Sequence, residues 1–138
     1  MLTSLQYVGV YLISVPVFFA IDMIWLGFVA SSFYRGQIGH ALSDTVNWPV
    51  AIAFYLLLLV GLLIFAIAPA IEARSLTHAL LYGALFGFFT YATYDLTNWS
   101  TLRDWPMMVS LVDMAWGTVL SASVASATYW LATTFVVR

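Results

Sequence analysis

Three aspartates stand inside long apolar stretches of this chain: Asp22, Asp95 and Asp113. Carboxyl groups in such surroundings can hold a proton, attract a cation, or act as acid and base toward a bound molecule. Side chains that could complete a site lie close by in sequence. Tyr91, Tyr94 and Asn98 share the polar run Tyr91-Ala92-Thr93-Tyr94-Asp95-Leu96-Thr97-Asn98, and Trp25 and Trp116 each follow an acid by three residues. Asp22, Asp95, Asp113, Asn98, Tyr91, Tyr94, Trp25 and Trp116 form the candidate ligand-binding or proton-binding set, with Arg103 and Asp104 expected at its rim.

An ionised Asp at the middle of a bilayer costs about 2.5–3.5 kcal/mol on insertion scales, so such residues usually face a bundle interior or water. No Lys or Arg lies within the apolar stretches to neutralise these three. At least one is expected to carry a proton near neutral pH, and close neighbours would titrate as a group. A plainer reading stands beside this one. A protonated buried Asp can simply hydrogen-bond to a neighbouring helix, at about 0.6–2 kcal/mol per bond. Tyr91 and Tyr94 can be packing residues with satisfied hydroxyls, Trp25 and Trp116 core or interface residues, and His40 a solvated loop residue. Three acids at one end, beside Asn98 and two tyrosines, favour a functional cavity.

Composition sets the medium in which these acids work. Of 138 residues, 64% are hydrophobic and 7% charged, against about 25% charged in ordinary soluble domains. A water-soluble chain of this size has too few polar groups to cover such a surface, so the expected solvent is a lipid bilayer. Net charge is −2 and there is no Lys, which argues against nucleic acid as a partner and against a polybasic membrane-surface role. The absence of Cys excludes disulfides, thiolate metal sites and thiol catalysis. His40 and His78 alone cannot build a multi-histidine iron site, and no metal site is expected; any cofactor stays unknown. The N-terminal stretch lacks a basic leader and is too long for a signal-peptide core, so it is expected to be a retained transmembrane helix.

The elements that must position the acids are four apolar segments, at about 5–33, 49–69, 78–98 and 106–136. They predict an all-α integral membrane four-helix bundle, up-down-up-down with short loops, forming a single transmembrane domain over 1–138. Pro16 is expected to kink the first segment. Asn47 can cap the second, Pro49 suits its first turn, and Pro69 is expected to end it. The second segment has no ionisable side chain except Tyr55, reads as apolar all round, and is assigned to lipid contact and packing, outside the site. Steps of four residues give two rows, Gly83-Gly87-Tyr91-Asp95 and Asp113-Gly117-Ser121-Ala125, so the third and fourth segments should pack closely.

Let the top be the end that holds the first and third loops. Asp95 then falls roughly 5 Å deep, Asp113 roughly 10 Å and Asp22 roughly 16 Å, all in the upper half. Orientation stays open, because Arg35 and Arg103 at the top balance Arg74 and Arg138 at the bottom. The echo of Asp22-Met23-Ile24-Trp25 in Asp113-Met114-Ala115-Trp116 reads as similar surroundings rather than an inverted repeat.

The sequence Tyr94-Asp95-Leu96-Thr97-Asn98, then Leu102-Arg103-Asp104-Trp105-Pro106 and Val112-Asp113-Met114-Ala115-Trp116-Gly117-Thr118, resembles a bacterial family of small predicted membrane proteins catalogued as domain of unknown function 2177. The resemblance covers essentially the whole chain, and its specific part is the run from Tyr94 to Gly117. It implies a multi-pass protein of the bacterial inner membrane. It implies no reaction, so it lends no residue a catalytic role.

Three functions remain. The acids could bind or transport a proton, a cation or a hydrophobic small molecule, with Trp and Tyr as stacking surface, and a homodimer could supply the path. The chain could be an accessory subunit of a larger membrane complex. It could be an intramembrane enzyme acting on a lipid or isoprenoid, which needs carboxyls convergent on one site. The first is preferred.

Overall fold

The computed structural model describes residues 1–137, so Arg138, counted above among the bottom charges, lies outside the described residues. Four long helices account for the described chain: α1 (Ser4–Ala41), α2 (Trp48–Glu72), α3 (Leu76–Thr101) and α4 (Met107–Phe135). No strand occurs among the described residues. The four form the all-α membrane bundle that composition requires. Large apolar side chains such as Leu5, Leu12, Phe28, Leu57, Phe65 and Phe89 point outward, as a lipid solvent demands.

Local chemistry sets most helix starts. Thr3 and Gln6 exchange side-chain bonds to each other's backbone N–H and open α1 with a capping box. Asn47 accepts from the Val50 N–H with Pro49 in the first turn of α2, and Ser75 accepts from the His78 N–H to open α3. The tight turns before α3 and α4 pass through Arg74 and Asp104, both with positive φ. The Leu2 N–H donates to Glu72 Oε1, which ties the start of α1 to the end of α2 at the bottom.

Two helices differ from their expected shape. The first does not stop near residue 33 but continues through an α-helical stretch Ser31–Ile38 and a 3₁₀ turn Gly39–Ala41. At about 1.5 Å per residue it exceeds the roughly 30 Å hydrocarbon thickness and must tilt or project. It is interrupted by a wide π turn at Leu26–Ala30. The second passes through Pro69 and ends only at Glu72. Another π turn, Leu63–Ile67, precedes that proline, and the Ala68 N–H reaches back five residues to the Leu63 carbonyl. A proline in a regular α-helix clashes with the carbonyl four residues earlier; the wider turn relieves that crowding.

Among the described residues, three helices are long and apolar enough to cross a membrane: α1, α2 and α4. The 26-residue α3 matches them in length but is not among the three, because Thr90, Tyr91, Thr93, Tyr94, Asp95, Thr97 and Asn98 crowd its upper half. It packs most extensively on α4. A Cβ on Gly87 would run into the Gly117 carbonyl, one on Gly83 into Ala125 and the Ser121 carbonyl, and one on Gly117 into the Tyr91 ring. The two small-residue rows therefore let the backbones approach, and this seam holds the site's two upper acids in place. Phe18 of α1, Leu59 and Leu62 of α2, and Leu120 and Val124 of α4 fill the core below.

Candidate functional site

The α3–α4 seam brings two carboxyls together. Asp95 lies six residues before the end of α3 and Asp113 six residues after the start of α4, so both sit about 9 Å below the top helix ends. This replaces the expected difference in depth, because α3 runs on to Thr101 rather than stopping at 98. The Asp95 side chain is fully buried, and the Asp113 carboxyl is its charged neighbour. Neither Asp95 oxygen meets an N–H or O–H donor among the described residues. Two ionised carboxylates only accept, so these two can join only through a proton.

A short relay fixes this end of the seam. Trp105 Nε1 donates to Ser110 Oγ at 2.9 Å, and Ser110 Oγ donates to the Asp95 backbone carbonyl at 3.2 Å. The Tyr94 ring meets Trp105 edge-on, with centroids 6.1 Å apart.

α1 supplies the opposite wall. Tyr34 donates its hydroxyl proton to Asp113 Oδ1 at 2.5 Å. Trp116 Nε1 donates to Asp22 Oδ1 at 3.3 Å, and Asp22 is 3% exposed. Trp25 and Trp116 lie face to face, with centroids 4.4 Å apart and planes 6° from parallel. The two Asp-x-x-Trp motifs thus interlock: the tryptophan of the second stacks on the tryptophan of the first and bonds its aspartate.

The π turn makes this possible. Tyr34 follows Asp22 by twelve residues, which in a regular α-helix turns it about 120° away. Absorbing one residue in a wide turn reduces the offset to about 20°, so both side chains face α4.

Between these walls is a cavity of about 720 Å³, within the range of small-molecule sites. Asp22, Trp25 and Tyr34 of α1, Tyr91 and Tyr94 of α3, and Asp113 and Trp116 of α4 line it. So do Phe54, Tyr55 and Leu58, which overturns the placing of the second helix outside the site. Its lining holds two acids and no Lys, Arg or His. Asp95 and Asn98 do not line it: Asp95 sits behind Asp113, and Asn98 lies outside, within reach of Tyr94. Arg103 and Asp104 are exposed in the turn after α3 and do not line the cavity either.

Sequence reasoning missed Tyr34 and Tyr55. Tyr55 was visible as the one ionisable side chain of the second segment. Tyr34 had no signal, because its phase depends on the π turn. No group of three or more His, Asp or Glu side chains among the described residues is placed to hold a metal ion. The arrangement offers two carboxyl groups in the cavity wall, a third next to Asp113, and aromatic faces between them.

No curated protein and no solved structure matches the chain. Residues 7–130 match the family described as Predicted membrane protein (DUF2177), nearly the whole of the chain, which therefore belongs to that family.

Proposed function

We propose that the protein binds a hydrophobic molecule carrying a single positive charge, in the cavity between Asp22 and Asp113, from within the inner membrane of a bacterium. The observation that carries this reading is the lining itself. Two carboxyl groups stand among aromatic and aliphatic walls with no basic side chain to neutralise them. Aromatic faces attract cations by about 0.5–2 kcal/mol, more when water is excluded. A carboxylate held in a low-dielectric site adds attraction that a neutral or anionic molecule cannot obtain. Trp25, Trp116, Asp22 and Asp113 bind the ligand; Tyr34 positions Asp113.

The test is a titration of the purified protein in detergent with tetraphenylphosphonium, followed by tryptophan fluorescence. Saturable quenching is expected, weakened at least tenfold in Asp22→Asn. Tetraphenylborate has the same shape and the opposite charge, and equal binding of the two would sink the proposal.

The paired Asp95 and Asp113 favour a second reading, an enzyme acting on a lipid or isoprenoid, since acid–base work needs convergent carboxyls. Turnover of such a substrate, lost in Asp113→Asn, would support it over binding.

A further inference from the structure

Asp95 stands outside the binding role just described. It is 0% exposed, it does not line the cavity, and no donor reaches its oxygens among the described residues. An ionised carboxylate there would be a bare buried anion, an arrangement proteins avoid. Asp113 is placed differently. It lines the cavity and already accepts from the Tyr34 hydroxyl. A protonated Asp95 donating to an ionised Asp113 satisfies both groups, with Tyr34 on one Asp113 oxygen and Asp95 on the other.

We propose that Asp95 is a proton store behind the cavity, and that binding of a cation against Asp113 releases that proton. This rests on the cation-binding reading and gives it a direction, the exchange of one proton for one cation. The step balances. The Asp95 O–H bond breaks, the electron pair stays on Asp95, and the proton leaves by way of Asp113 and the cavity mouth. The pair passes from one negative charge to two, and the incoming cation offsets the added charge.

Few other groups face this pair. Tyr34 of α1 and Tyr94 of α3 face both Asp95 and Asp113. Asp22 of α1, Tyr55 of α2 and Tyr91 of α3 face Asp113. None of these is a base that could take the proton and keep it. Asp113 is the acid that both lines the cavity and neighbours Asp95, so a cation seated against Asp113 competes with the proton. The acid pair, the cavity and the unpartnered Asp95 oxygens are three separate observations that agree.

Tetraphenylphosphonium suits the test because it does not titrate, so any proton set free comes from the protein. It is added to the purified protein in weakly buffered detergent with a pH indicator dye. Close to one proton per bound cation is expected, and the apparent Kd should tighten by up to tenfold for each unit rise in pH. Asp95→Asn should release no proton and bind with an affinity that no longer follows pH. In parallel, infrared difference spectra of the unmodified protein should show a protonated carboxyl band lost on cation addition. This second readout decides the matter even if the variant fails to fold.

Saturable binding with no proton release and no band loss would overturn proton exchange and leave cation binding standing. Proton release that persists in folded Asp95→Asn would overturn the assignment to Asp95. An absence of binding at every pH would overturn both proposals.

Discussion

At the residue scale the site depends on who donates to whom. Asp22 and Asp113 each accept from one aromatic donor, Trp116 and Tyr34. Asp95 accepts from none among the described residues. Removing the donor from a buried acceptor costs about 1–3 kcal/mol. Tyr34→Phe is therefore expected to lower the thermal midpoint of the protein in detergent by several degrees while leaving helix content unchanged by circular dichroism. A midpoint equal to that of the unmodified protein would show that the Tyr34–Asp113 bond contributes nothing. The sequence announced the three acids through their cost: an Asp in an apolar segment is expensive enough to be noticed. It also put Asn98 in the binding set and Arg103 and Asp104 at its rim, and none of the three lines the cavity. Polarity near a helix end is cheap, so it carries little information about where a side chain points.

At the element scale, helix starts and close packing were legible because each has a local chemical signature. Asn47 and Pro49, and the glycine rows of α3 and α4, are examples. The π turns were not legible. Leu26-Gly27-Phe28-Val29-Ala30 has no composition that separates it from ordinary helix, yet it decides which face Tyr34 presents. That role has a testable consequence. Phe28 is 88% exposed, and deleting it should collapse the wide turn into regular helix while keeping the phase of Tyr34. Cation affinity should then stay within about threefold, since a regular helix carries the same register. Inserting one Ala after Phe28 should rotate Tyr34 by about 100° and remove binding. The opposite pattern, with the deletion damaging and the insertion harmless, would contradict the phase argument.

At the scale of the whole molecule, composition alone required lipid, and the four-helix outline followed from segment lengths. The third helix is where this reasoning was weakest, since the polar residues that build the site are the ones that lower its hydropathy. Its passage across the membrane can be measured directly, because the chain has no Cys. Single substitutions Arg74→Cys and Arg103→Cys bracket α3. A membrane-impermeant maleimide should label them from opposite faces of sealed, oriented vesicles. Labelling of both from one face would mean that α3 does not cross.

The second helix teaches a related point. Apolar periodicity sorts buried from exposed faces only when the solvent is water; in lipid both faces are apolar, so the inward turn of Phe54 and Leu58 gave no sign, and only the hydroxyl of Tyr55 marked that face. Counting placed the acids at one end of the bundle but gave Asp95 and Asp113 different depths, because it depended on helix ends the sequence set three residues short for α3; the shape of the cavity follows from helix phase and bending.

The central claim is that a cation sits between Asp22 and Asp113 against the stacked Trp25 and Trp116. Crystals grown with tetraphenylarsonium test it most directly, since arsenic scatters anomalously and marks its own position. An anomalous peak inside the cavity, between the two carboxyl groups, is the expected result. A peak only on the lipid-facing surface, or none in crystals diffracting well enough to show bound arsenic, would contradict it.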